Sequence, residues 1–278
     1  MAQPPLVLGV DSSTQSTKVE ARRLDSGERV GIGRAPHPPT TPPRSEQDPR
    51  AWWRALVEAT AQLGELRRDV VAISVAGQQH GLVVSGEDLE PLRPAKLWND
   101  TESAAQAARL VEDLGAQRWA RECGSVPVAA FTVTKLAWLV EHEPGILGRV
   151  AGVGLPHDWI TARLCGRHVT DRGDASGTGW FDAGDPAGTP PGRVCGDLLA
   201  AALVGAPAGA GDVDRWESML PQVLGPREAA GSLRGTAADE LGLPRAVLVG
   251  PGTGDNMAAA LGLGLREGDV AFSLGTSG

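Results

Sequence analysis

Tyrosine is absent from this 278-residue chain, phenylalanine and cysteine occur three times each, and no apolar run approaches membrane-spanning length. The last absence excludes a transmembrane helix, which needs roughly 18–20 apolar residues in succession. The opening Met1-Ala2-Gln3-Pro4-Pro5 has no basic segment, and Leu6–Val10 is too short for the apolar core of a signal peptide. A cytoplasmic protein with no membrane partner is therefore expected. Cys123, Cys165 and Cys195 are odd in number and lack metal-ligand spacing, which excludes a disulfide framework and fits idle thiols in a reducing compartment. Runs of Lys and Arg are also missing, and a formal net charge of −8 argues against a nucleic-acid partner. Neither a Walker A loop (GxxxxGK followed by Ser or Thr) nor GxGxxG occurs, so the common nucleotide-binding loops are unsupported. No repeat of 20–50 residues is evident.

What is present is the composition of an ordinary globular protein, 41% hydrophobic and 22% charged, with length for one large domain or two modest ones. Eight tryptophans carry most of the aromatic mass. Trp52, Trp53, Trp119, Trp138 and Trp216 fall in helical patterns and read as packing residues of a core or an interface. Core and interface stripes look alike, so a monomer and a homodimer are both compatible with the pattern.

The apolar run Leu6–Val10 predicts a buried strand, followed by a polar turn and a second strand over Lys18–Arg23. Asp25-Ser26-Gly27 is a hairpin signal, with a third strand from Glu28 to about Gly33. Five prolines between Ala35 and Arg44 predict extended surface chain. Asp48 as N-cap with Pro49 behind it starts a helix expected to run to about Arg68, with Trp52, Leu56 and Leu63 on one side. Further strands are expected at Val70–Val75, Leu82–Val84, Lys96–Trp98, Ala246–Gly250 and Asp269–Leu274. Helices are expected near Glu102–Leu114, Thr134–Glu141 and Asn256–Leu265. Residues 183–212 are rich in Gly, Pro and Ala around one short helix and read as a loosely ordered insertion. Strand–turn–strand–turn–strand followed by alternating helices and strands implies an α/β protein with a mixed sheet.

Four strand-end segments have chemistry in them. Asp11-Ser12-Ser13-Thr14-Gln15-Ser16-Thr17-Lys18 offers a carboxylate for Mg²⁺, hydroxyls and turn amides for phosphate, or is simply a good turn. Gly252-Thr253-Gly254-Asp255-Asn256 opens a helix, where a carboxylate is held ionised and faces a ligand as a base, or else only caps its helix. Gly77-Gln78-Gln79-His80-Gly81 brackets polar side chains with glycines, suited to sugar hydroxyls, although a lone His is more often structural. Trp98-Asn99-Asp100 joins an aromatic face to polar groups, a mix sugars favour, and equally describes a turn after a buried Trp.

Together these segments resemble the FGGY family of carbohydrate kinases. Leu8-Gly9-Val10-Asp11 with its Ser/Thr turn looks like the family's first phosphate motif. Gly77–Gly81 matches a Gly-Gln-Met-His-Gly sugar motif except for Gln79, and Leu97-Trp98-Asn99-Asp100 is similar to the sugar-site strand. Ser45–Trp53, Phe131–Leu139, Leu155-Pro156-His157-Asp158-Trp159 and Asp174-Ala175-Ser176-Gly177-Thr178 resemble further blocks of the family. Gly252–Asn256 resembles its catalytic-base motif, and Ser273–Gly278 its second phosphate motif. The agreement runs in order along almost the whole chain.

The resemblance implies an actin-like, ribonuclease-H-like ATPase fold, a mixed β-sheet flanked by helices, in two domains that close over a cleft with ATP and Mg²⁺. By it Asp255 is the base. Gln79, His80, Asn99, Asp100 and Asn256 surround a pentulose, most closely D-xylulose. Asp11 organises the metal through water, and Ser12, Ser13, Thr14, Thr17, Lys18, Gly275, Thr276 and Ser277 handle the phosphates. Residues 1–244 are expected to form the sugar-binding domain and 245–278 the start of a second domain, with the chain truncated before the adenosine site. Ribulose, gluconate or glycerol as acceptor, and a non-catalytic sugar-binding fragment, are the alternatives. Two departures bear on the site: Gln79 replaces an apolar residue, and Glu102 stands where the family commonly has Arg.

Overall fold

β1 (Leu6–Ser12) buries Leu6, Leu8, Val10 and Ser12 and turns the residues between them outward, the period-two pattern of a strand with one buried face. It forms an antiparallel meander with β2 (Ser16–Arg23) and β3 (Arg29–Pro36). The computed structural model describes residues 4–184, 192–266 and 268–272. β4 (Glu46–Gln47) leads into α1 (Pro49–Ala61), where the Asp48 carboxylate accepts from the Arg50 N–H as N-cap. The helix stops at Ala61 and does not run to Arg68, because Gly64 takes φ +56° and the chain continues as a 3₁₀ turn over Gly64–Asp69. β5 (Val70–Gly77) then lies parallel to β1.

The middle of the chain contains β6 (Val83–Ser85), β7 (Ala95–Lys96), α2 (Ala104–Leu114), α3 (Ala116–Cys123), α4 (Thr132–His142), β8 (Gly152–Gly154), α5 (Pro156–Cys165), β9 (Val169–Asp171) and α6 (Arg172–Ala175). The strand expected at Lys96–Trp98 is β7, one residue earlier, and Trp98 sits in the following turn. Next come β10 (Phe181–Asp182), β11 (Arg193–Val194), α7 (Gly196–Ala202), α8 (Val213–Ser218), β12 (Gln222–Leu224), β13 (Gly231–Ser232), α9 (Gly235–Leu241), β14 (Leu248–Val249), β15 (Thr253–Gly254) and α10 (Asp255–Gly262).

The main sheet is mixed, in the order β13-β14-β5-β1-β2-β3, with β15 also joining β5. β14 and β15 run parallel to β5, at Ala72–Ile73 and Ala76–Gly77. β14 and β15 are thus part of the same sheet as β1, although the sequence places a domain start at 245. One core packs this sheet against α1, α5 and α9 through Trp52, Leu56, Trp159, Ile160 and Leu241. A second core gathers Leu110, Trp119, Leu136, Leu139, Leu198, Leu199 and Trp216. Trp52, Trp53, Trp119 and Trp216 are buried, as the helical pattern predicts, and Trp138 is half-buried.

Two expectations need correction here. Within 183–212, α7 buries Leu198, Leu199 and Ala202 in the second core, so this part is packed rather than loosely ordered. Residues 269–272 form no strand, since they pair with no described neighbour and a strand exists only by pairing; Ser273 and Leu274 lie outside the described residues. Cys123, Cys165 and Cys195 are free thiols. No described helix is long and apolar enough to cross a membrane.

Candidate functional site

Parallel strands bring their carboxyl ends to one edge of a sheet, where ligands of open α/β sheets bind. Here Asp11 and Ser12 at the end of β1 lie beside Ala76 and Gly77 of β5, which lie beside Thr253 and Gly254 of β15. Three of the four sequence segments therefore meet at one place.

At the β1–β2 turn, Asp11 and Lys18 are register partners, and Lys18 Nζ is 2.6 Å from Asp11 Oδ2 with both side chains part-exposed. Thr14 Oγ1 donates to Gln78 Oε1 and accepts from Trp98 Nε1 at 2.9 Å, tying this turn to the next two segments. Ser12 and Thr17 are different. Both are buried, and Thr17 Oγ1 donates to Ser12 Oγ and contacts His37 Nε2 at 2.8 Å. Ser13 is half-buried, its N–H and hydroxyl both donating to Ser16 O within the turn. Asp11, Ser13, Thr14 and Lys18 stay part-exposed. One accessible carboxylate with room for water suits Mg²⁺, which binds through few protein ligands, and an adjacent ammonium suits ATP phosphates. Gly275, Thr276 and Ser277 lie outside the described residues.

In the second segment, His80 takes φ +60° and its Nδ1 lies 3.0 Å from Gly177 O. Facing a carbonyl, Nδ1 has to be the protonated nitrogen. Burial lowers the imidazole pKa, so the ring is neutral and its Nε2 is an acceptor. Phe131 stacks on the ring with centroids 5.0 Å apart, and the buried Lys135 amine, lowered by burial to about 7, donates to Phe131 O at 3.3 Å. Gly177 permits the approach: a Cβ there would stand 2.4 Å from the ring. Gln79 has both ends occupied. Its Nε2 donates to Met257 Sδ at 3.0 Å and, more distantly, to Asp174 Oδ1 at 3.5 Å, while its Oε1 accepts from Asn256 Nδ2 at 2.7 Å.

The third segment divides. Asn99 Oδ1 is enclosed with no donor among the described residues, a polar atom suited to a ligand hydroxyl. Asp100, expected beside the sugar, is fully buried and committed elsewhere: it accepts from Ser45 N (2.9 Å), Glu102 N (3.1 Å) and Lys96 Nζ (3.1 Å). Glu102 lies 2.5 Å from the same ammonium, so its charge answers buried Lys96.

Asp255 begins α10, and its Oδ1 accepts from the Asn256 N–H. Burial pushes its carboxyl up to about 6, partly opposed by that N–H and reinforced by the charges of Asp174 and Asp11. Gly254 allows the loop to lie on Gln79, whose Cγ would be 2.8 Å from a Cβ at this position. His80, Asn256 and Asp255 together offer acceptors, the complement of a ligand rich in hydroxyl donors.

Sequence reasoning assigned no role to a charged cluster beneath this site. His157, at the start of α5, is fully buried, with Nε2 3.2 Å from Asp158 Oδ1, 3.2 Å from Asp174 Oδ2 and 3.5 Å from Asp171 Oδ1. Burial alone disfavours the imidazolium, but Asp158, Asp174 and Asp171 override it and hold His157 up at about 9, while the same burial lifts the Asp158 carboxyl to about 7. Asp171 caps α6 through the Gly173 and Asp174 N–H groups and accepts from Thr253 Oγ1 at 2.9 Å, anchoring the loop before Asp255. The signal was present in the segments around His157 and Asp174, but only the fold shows that they touch.

The sequence pattern described as "FGGY family of carbohydrate kinases, N-terminal domain" matches residues 6–185. The chain is 49% identical over 278 residues to the xylulose kinase of Streptomyces rubiginosus and 50% identical over 280 residues to that of Streptomyces coelicolor. Each alignment covers all of this chain and 54% of the relative, so the chain spans about half the length of these curated relatives. The crystal structure of xylulose kinase from Bifidobacterium adolescentis superposes with a TM-score of 0.87 at 40% identity, over 99% of this chain and 58% of that one. Gluconate kinase from Lactobacillus acidophilus, at 21% identity and a TM-score of 0.79, shares the fold.

Proposed function

Because the chain belongs to the FGGY family of carbohydrate kinases, we propose that it supplies the sugar site and general base of an ATP-dependent pentulose kinase that converts D-xylulose to D-xylulose 5-phosphate. One observation supports this above the others: Asp255 starts a helix at the end of β15, with a carboxyl near 6, beside Asn256 and in electrostatic reach of Asp11. Xylulose kinases as the curated relatives favour the five-carbon ketose among the family's acceptors.

In this reading His80 Nε2 and Asn256 Oδ1 accept from sugar hydroxyls, and Asn99 Oδ1 takes another. Asp255 removes the proton of the C5 hydroxyl as that oxygen forms a bond to the γ-phosphorus of ATP. The bond from the γ-phosphorus to the β,γ-bridging oxygen breaks, and ADP leaves. A carboxylate with pKa near 6 is ionised at neutral pH yet basic enough to share a proton in the transition state. Asp11 would hold Mg²⁺ through water, and Lys18 and Thr14 would meet the phosphates; the metal neutralises charge as it develops there. The same reading places the protein in the cytoplasm, with ATP and with thiols kept reduced.

The test is a panel of D-xylulose, ribulose, gluconate and glycerol with ATP. It is run on residues 1–278 and on a protein of the relatives' full length. Preferred phosphorylation of D-xylulose by the longer protein is expected. The 278-residue chain should bind the sugar weakly and transfer no phosphate. Preference for another acceptor overturns the substrate, and robust transfer by residues 1–278 overturns our placement of the nucleotide site.

A further inference from the structure

We propose that Gln79 is a positioning residue that fixes the polarity of the Asn256 amide, so that the site demands a hydroxyl donor from its sugar. The inference rests on the sugar-site reading and deepens it. An amide group looks nearly the same after a half-turn, but the two orientations present opposite chemistry: an oxygen that accepts or an NH₂ that donates. Which one Asn256 presents is decided by its neighbours.

The decision begins at the buried cluster. His157 Nε2 lies 3.2 Å from Asp174 Oδ2, and Asp174 is fully enclosed. Its other oxygen, Oδ1, is 3.5 Å from Gln79 Nε2, and the Met257 thioether lies 3.0 Å from the same nitrogen. A carboxylate is acceptor-only and a thioether is a weak acceptor, so the NH₂ end of Gln79 must face them. The opposite orientation would set the amide oxygen against a buried carboxylate. Gln79 is itself buried and Gly254 packs on its stem, which holds the side chain in place. Its Oε1 is thereby presented to Asn256, whose Nδ2 donates to it over 2.7 Å. The Asn256 Oδ1 then points away as a free acceptor, next to Asp255. An apolar residue at 79 would leave the Asn256 amide free to present either end.

The consequence is selective. A sugar whose hydroxyl becomes fluorine keeps a weak acceptor at that carbon and loses the donor. Losing one such hydrogen bond weakens binding about fivefold to tenfold. With Gln79 in place the penalty stands. With Gln79→Met, Asn256 turns over and much of the penalty disappears.

Two measurements on residues 1–278 decide the matter, with Gln79→Leu made in parallel should Gln79→Met not fold. Asn99 and Asn256 are the only asparagines, so the side-chain amide resonances are readily assigned. In the sugar-free protein the Asn256 side-chain NH₂ should exchange with water at least about fivefold more slowly than in the Gln79 variant. NMR titrations with D-xylulose and its deoxyfluoro analogues should then show one analogue that loses about fivefold to tenfold in wild type and under about twofold in the variant. Equal Asn256 exchange in both proteins, or an unchanged analogue penalty, overturns the proposal. No response of wild type to D-xylulose overturns the sugar-site reading and the selectivity built on it. Asn256 exchange, which needs no sugar, tells that failure from the first.

Discussion

Nε2 of His157 lies 3.2 Å from Oδ2 of Asp174, with both side chains fully enclosed. The pair joins α5 to α6 directly beneath the loop that presents Asp255. His157→Gln leaves Asp158, Asp171 and Asp174 without their imidazolium, and uncompensated buried charge costs about 3–5 kcal/mol. Urea denaturation should show that loss; a change under about 1 kcal/mol would mean that the cluster is not charged. The pH dependence has a definite sign. His157 is raised from 6.5 to about 9 on folding, so its stabilisation is complete below pH 6.5 and is lost as pH climbs to 9. The urea midpoint of wild type should fall across that window, and the His157→Gln profile should be flatter.

Asp255→Asn preserves the shape of the loop and removes the base. In a protein of the relatives' full length we expect sugar affinity within a few-fold of wild type and kcat reduced by at least about 10². The wild-type kcat/KM should rise with pH through an apparent pKa near 6, the value to which burial lifts this carboxyl. A variant that turns over within a few-fold of wild type removes Asp255 from the mechanism.

Asp11→Ala should weaken Mg²⁺-dependent nucleotide handling and spare the sugar. Its partner Lys18 is part-exposed, so loss of the ion pair costs stability only about 0–1 kcal/mol. Calorimetric titration with D-xylulose in the absence of nucleotide is the control. Equal loss of sugar affinity there would move Asp11 out of the phosphate site.

Lys96 holds together carboxylates from three places. Its ammonium lies 3.1 Å from Asp100, 2.5 Å from Glu102 and 3.4 Å from Glu46, and 3.8 Å over the centre of the Trp138 ring. Lys96→Met fills the space and leaves Asp100 and Glu102 without their cation, while Glu46 keeps Arg93 and Arg44, for an expected loss of about 3–5 kcal/mol in urea. Asp100→Asn should likewise act on stability more than on sugar affinity. A variant that is stable yet blind to sugar would return Asp100 to the binding site.

Gly252→Ala should disable the loop from its hinge. The residue has φ +78°, and an added Cβ would lie 2.7 Å from His157 Nδ1 and 2.9 Å from Val75 O. Both backbone strain and collision oppose it. Sugar binding should fall together with the urea midpoint, and unchanged values of both would show that the loop has room that these distances deny.

The sequence by itself determined the local rules of this protein. Period-two burial made β1 and β2, and Asp48-Pro49 started α1. The segments ending at Asp11, His80 and Asn256 had a chemistry that the family resemblance could order along the chain. α5 escaped notice because it is buried nearly all round, from Pro156 through Leu164, so it has no polar face and no helical alternation to read. Residue type likewise could not tell Asp100 from Asp255. Both are strand-end carboxylates, and only packing buries one against Lys96 while leaving the other at the start of an open helix. Ser12 and Thr17 read as phosphate ligands in a hydroxyl-rich turn, and the pleat of two paired strands buries both. Gln79 read as a sugar contact, and the fold engages both ends of its amide, with Met257 and Asp174 at one and Asn256 at the other. The Gln79 contacts join residues far apart in the chain, whereas Lys96–Asp100 and Ser12–Thr17 are near neighbours whose burial depends on what the fold packs around them. Hydrogen bonds and charge pairs of that kind are set by which atoms the fold brings within about 3 Å, a distance that no local pattern encodes.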